Sequence, residues 1–91
     1  MKLLWSQQSL HQMQSISRFI SADNPSAAKK LLAQIKKSAR LLKQNPFMGR
    51  RTEFEGVREL VVHANYLLSY RVSNENVEIA QVWHAAQQRY H

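Results

Sequence analysis

Ninety-one residues with 44% hydrophobic content suffice for one small domain with a single core, and little room for a second is expected. The absence of cysteine excludes disulfides and thiolate zinc sites. Thirteen Lys and Arg against six acids give a formal charge of +7, which points to polyanionic partners: nucleic acid, a nucleic-acid machine or an acidic protein.

The opening MKLLWSQQSLHQMQ has three apolar residues before polar ones return, too short for a signal-peptide core. No stretch approaches a membrane span, so a cytoplasmic protein without membrane contact is expected. Leu3, Leu4 and Trp5 are short strand material. From Ser6 to about Ala22, Leu10, Met13, Ile16, Phe19 and Ile20 recur at helical spacing, with Ser6 as N-cap. A turn follows, in which Asn24 can cap and Pro25 suits the first helical position. The second helix carries an apolar stripe of Ala28, Leu31, Leu32, Ile35, Ala39 and Leu42. Lys29, Lys30, Lys36, Lys37, Arg40 and Lys43 cover the rest of it. It is expected to stop at Asn45-Pro46, because proline disfavours helical geometry in the residue before it. The two helices should form an antiparallel hairpin.

NPFMGRRTEFEG then reads as a loop containing both glycines. Three runs with strand character follow, Val57–His63, Tyr66–Ser73 and Asn76–His84, joined at Ala64-Asn65 and Asn74-Glu75 in an antiparallel meander. The expected fold is α+β, in the order β-α-α-β-β-β, with the helical hairpin on one face of an antiparallel-dominated sheet.

Chemistry-bearing motifs are sparse. There is no Gly-rich phosphate loop, and His11, His63, His84 and His91 lack metal-ligand spacing, so neither a metal nor a cofactor is expected. Asp23, the only aspartate, falls in the interhelical turn, which argues against Ser/His/Asp catalysis. What remains is a cationic and aromatic set: Arg50, Arg51, Arg58, Tyr66, Tyr70, Arg71, His84, Arg89 and Tyr90. Arginine forks bind phosphate or carboxylate, aromatic rings stack on bases, and histidine titrates near neutrality. Alternation puts Tyr66 and Tyr70 with Leu68 and Val72 on one strand face, as packing, and Arg71 beside Ser69 on the other. His84 should share a face with Val82 and Ala80. The lysine-rich helix is the largest basic surface, either simply solvated or a dock for an acidic partner or phosphates.

The order of elements, the turn DNPSAAKKLLAQI, and the segments LLKQNPFMGRR, VRELVV, NYLLSYRV and VEIAQVWHAAQQR together resemble the RelE/ParE superfamily of bacterial toxins. That resemblance covers nearly the whole chain. It implies the toxin of a type II toxin–antitoxin system, held inactive by a cognate antitoxin, acidic and partly disordered, in a complex that commonly binds its own operator DNA. RelE-like members cleave mRNA on the ribosome without a metal; ParE-like members poison DNA gyrase. For RNA cleavage the residues implied are His84, Arg71 and Arg89. Contacts to target or antitoxin are expected from Arg50, Arg51, Arg58, Arg71, Tyr90, Lys36, Lys37 and Arg40. Ribonuclease members usually carry arginine at the place of Leu67, and Glu53 and Glu55 are not in clear register for a base. His84 matches a histidine found in both branches. The resemblance is therefore nearer ParE, with a ribosome-dependent endonuclease or a non-catalytic basic binding module as alternatives.

Overall fold

In the computed structural model, which describes residues 1–86, strand β1 (Lys2–Trp5) leads into helices α1 (Gln7–Ser21) and α2 (Pro25–Leu41). Both helix starts follow from local chemistry. The Ser6 hydroxyl accepts the Ser9 N–H at 3.0 Å, and the Asn24 carboxamide accepts the Ala27 N–H at 3.1 Å, with Pro25 supplying no donor to satisfy. Helix α2 ends at Leu41, four residues before the expected Asn45. A turn follows in which the N–H groups of Leu42, Lys43 and Gln44 bond three residues back, tightening the chain ahead of Pro46.

The sheet has the order β1-β5-β4-β3-β2, from β2 (Arg50–Arg51), β3 (Val57–Val61), β4 (Tyr66–Val72) and β5 (Asn76–His84). All pairings are antiparallel except β1 with β5, which the α1–α2 hairpin makes possible by carrying the chain back across one face. Two details depart from expectation. Arg50 and Arg51, read as loop, extend the sheet by pairing with Glu59 and Arg58. The β3–β4 connection is not a two-residue hairpin: β3 ends at Val61, and His63–Asn65 form one 3-10 turn closed by Asn65 at φ 65°. Asparagine tolerates that left-handed geometry better than most residues.

Met13 of α1 and Leu31, Ile35, Ala39 and Leu42 from α2 and its C-terminal turn meet Leu68, Tyr70, Val77, Ile79 and Val82 of the sheet in one core. A bulge opposite Ser69 and Tyr70 inserts one residue into β5, so Ile79 and Val82, three apart, both face the helices. Beyond Trp5 the outer edge of β5 has no strand partner among the described residues. It is met instead by α1: Ser6 O–H donates to the Ala80 carbonyl at 2.7 Å, and the Gln12 carboxamide accepts the Val82 N–H at 2.7 Å. Buried backbone groups are thereby paired without another strand. No described helix is long and apolar enough to cross a membrane.

Candidate functional site

The cationic residues of the C-terminal half rest on a built scaffold. Tyr70, fully buried on β4, reaches the loop after α2. Its hydroxyl donates to the Pro46 carbonyl at 2.8 Å and accepts the Gly49 N–H at 2.9 Å. Burial pushes the Tyr70 pKa up, the Gly49 bond and nearby Arg58 opposing it. Gly49 is required by this contact: a Cβ there would lie 2.6 Å from the Tyr70 hydroxyl and 2.7 Å from the Glu59 carbonyl. Thr52 closes the next turn, donating to the Val57 carbonyl at 2.9 Å and accepting the Phe54 N–H at 3.1 Å.

On this frame the arginines are placed differently from one another. Arg50 directs Nε and Nη2 to one oxygen of Glu59, each at 3.3 Å; its own side chain is 66% exposed while Glu59 is 4% exposed. Arg58 is folded back: Nη1 donates to the Gly49 carbonyl at 2.8 Å, and its guanidinium carbon stands 5.0 Å from the centre of the Phe47 ring. Arg51 is exposed opposite Arg58 and borders a cleft of about 350 Å³ with Phe47, Phe54 and Val72. Arg71 is exposed on β4 between Val57 and Glu78 in register. Lys36, Lys37 and Arg40 are exposed on α2. Arg89 and Tyr90 lie outside the described residues.

His84 is not brought to Arg71. It sits opposite Tyr66 at one end of β4, five residues from Arg71 and so roughly 17 Å along the strand. The faces differ as well. His84 lines a cleft of about 490 Å³ with Ser15, Ile16 and Phe19 of α1, whereas Arg71 follows the alternation of Leu67 and Ser69 onto the sheet face without helices. The imidazole stands edge-on to the Tyr66 ring at 5.0 Å, and its Nδ1 accepts the Ala86 N–H at 3.0 Å. In the neutral ring that bond leaves the proton on Nε2. Leu67 is 3% exposed, between Val61 and Trp83 in register, and the Trp83 indole N–H donates to Ser69 Oγ at 2.8 Å. Ala80, expected beside Val82 and His84, is the residue the bulge inserts.

Sequence patterning did not single out Glu59, the buried carboxylate opposite Arg50. Its signal, a charged residue alternating in phase with Val57 and Val61, gains meaning only once β2 is known to exist. Phe19, read as part of the apolar face of the first helix, is instead 74% exposed, and Phe47, in the stretch read as loop, is 66% exposed.

The ParE toxin family of type II toxin–antitoxin systems, from parDE, matches residues 3–89. This chain belongs to that family. The putative toxin Y4kP of Sinorhizobium fredii is 34% identical over 88 residues, covering 96% of this chain and 91% of its own. Toxin RelE2 of Caulobacter vibrioides is 31% identical over 85 residues, covering 93% and 96%. A solved chain described as the chromosomal ParDE system from P. aeruginosa superposes with a TM-score of 0.81, at 24% identity, over 92% of this chain and 95% of that one. The protein is thus a type II toxin of the RelE/ParE superfamily with that family's α+β fold, and its family implies a cognate antitoxin as partner. Among the described residues no group of His, Cys, Asp or Glu could hold a metal ion.

Proposed function

We propose that the toxin arrests bacterial growth in the cytoplasm by binding DNA gyrase, and that it does not cleave RNA. The observation that carries this reading is the separation of Arg71 from His84, roughly 17 Å apart and on opposite faces of the sheet. Cleavage of a phosphodiester needs a proton-transfer group within hydrogen-bond reach of the same phosphate that the cations stabilise. Leu67 supports the reading further, since a buried leucine offers no charge where RNA-cleaving relatives are expected to present one. Arg50 and Arg58 are held by Glu59 and by loop carbonyls, which suits fixed contacts to a protein better than mobile phosphate clamps. Gyrase contact then falls to the exposed Arg71 with the outer side of Arg50, which the register puts on the same face of the sheet, and the antitoxin covers the same cations while the complex sits on operator DNA.

The likeness to a protein named toxin RelE2 makes ribosome-dependent mRNA cleavage the competing reading. Induced alone, the toxin is expected to stop bacterial growth, with rescue by the neighbouring antitoxin gene. Purified, it is expected to block gyrase supercoiling or trap cleaved DNA. Growth arrest with unimpaired supercoiling would defeat the gyrase assignment.

A further inference from the structure

The formal charge is unevenly spread along the chain. Residues 1–45 hold eight Lys and Arg against Asp23 alone, and residues 46–91 hold five against five acids. The whole +7 therefore belongs to the half that builds both helices, neither of which carries an acid. Among the described residues none of the α2 cations is ion-paired.

Their arrangement is directional. At about 100° per residue, Lys29, Lys36 and Arg40 fall within about 40° of one line on α2, spanning about 16 Å of helix; Lys43 follows in the next turn. Lys30 and Lys37 project roughly 80–100° around the helix. Lys36 and Arg40 are like charges four residues apart, a spacing that is unfavourable with no acid on the helix to offset it. A polyanion relieves that repulsion. Lys29, Lys36 and Arg40 border a shallow groove of about 370 Å³ whose floor is Ala33 and the half-buried Leu32. An amphipathic peptide docks through apolar anchors entering a hydrophobic groove, and this floor offers little to receive them. Helix α2 has no aromatic side chain on which a base could stack. Cations in line, a low floor and no stacking platform fit phosphates read without sequence.

We propose that the Lys29–Lys36–Arg40 row of α2 binds the phosphate backbone of duplex DNA. The phosphate contact stands on the charge distribution alone; the choice of DNA over RNA rests on the gyrase reading, because that enzyme works on duplex DNA.

The test is fluorescence anisotropy of a labelled duplex of about 20 base pairs, titrated with purified toxin from about 50 to 200 mM salt. Three to four phosphate contacts give a slope of log K against log salt of about −3 to −4. Replacing Lys36→Gln and Arg40→Gln together is expected to flatten the slope by about 2 and weaken binding about tenfold. Lys30→Gln with Lys37→Gln removes the same charge off the row and is expected to change the slope by less than about half a unit. All four positions are exposed, and circular dichroism checks that both variants stay folded. Equal losses in the two variants would reduce the effect to net charge and overturn the proposal. So would tighter binding of a glutamate-rich peptide or of an RNA duplex, or no duplex binding at low salt by a toxin that still blocks gyrase. Duplex binding with the stated slope and no effect on gyrase would uphold the row and reject the target.

Discussion

On α2 the cations stand toward solvent with no acid on the helix, whereas on the sheet Arg50 meets a buried Glu59 and Arg58 is folded onto carbonyls and the Phe47 ring. The N-terminal half carries all of the net charge and the C-terminal half carries none. The difference separates two uses of arginine and lysine. In the sheet some of them hold a loop in place, and their replacement should be felt in stability. On the helix they hold nothing in the fold, and their replacement should be felt in binding. Exposed ion pairs contribute little to folding, so this contrast depends on packing around the sheet arginines more than on charge.

The largest expected effect is at the loop that carries Arg50. Gly49→Ala forces a Cβ against the Tyr70 hydroxyl and the Glu59 carbonyl, and should cost about 1–3 kcal/mol in denaturant unfolding. An unchanged midpoint would mean that the loop is not clamped as described. Tyr70→Phe should cost about 1–2 kcal/mol, since it strands the Gly49 N–H and the Pro46 carbonyl. This variant also has a pH signature. Burial raises the Tyr70 pKa above 10.0, so its contribution is fully present below about pH 10 and is lost as pH rises past that value. The wild type should therefore lose more stability between about pH 9 and 11 than Tyr70→Phe does, as read from paired urea melts. Parallel curves would deny the tyrosine that role.

Smaller still is the stability effect on the helix. Lys36→Gln with Arg40→Gln should move the unfolding free energy by no more than about 0.5 kcal/mol, upward if like-charge repulsion dominates. A loss above about 1 kcal/mol would show that these side chains serve the fold and erase the contrast between the halves. The smallest expected effect is that of His84→Ala on toxicity. With His84 on the helix side of the sheet, growth arrest should persist once folding and antitoxin binding are shown intact. Abolished toxicity in a folded variant would return His84 to catalysis.

Both helices were legible because their signals are local: an N-cap serine and asparagine, a proline at the first helical position, and apolar residues at helical spacing. Strands β4 and β5 were legible for the same reason. Strand β2 was not, because two arginines carry no strand signal of their own and are extended only by Glu59 and Arg58 across the ladder. The site was harder to read than the fold. Alternation correctly set Arg71 apart from Tyr70, yet its relation to His84 depends on cross-strand register and on a bulge that breaks the phase of β5. The charge contrast was present in the sequence throughout, although the row on α2 gains direction only when the exposed side of the helix is known.

A gyrase-directed toxin is told apart from a ribonuclease by giving one preparation of the toxin both substrates. Gyrase supercoiling and primer extension on mRNA in programmed ribosomes are then read side by side. Lost supercoiling with intact mRNA is expected; codon-phased cleavage in the A site with supercoiling unimpaired would make the toxin a ribonuclease instead.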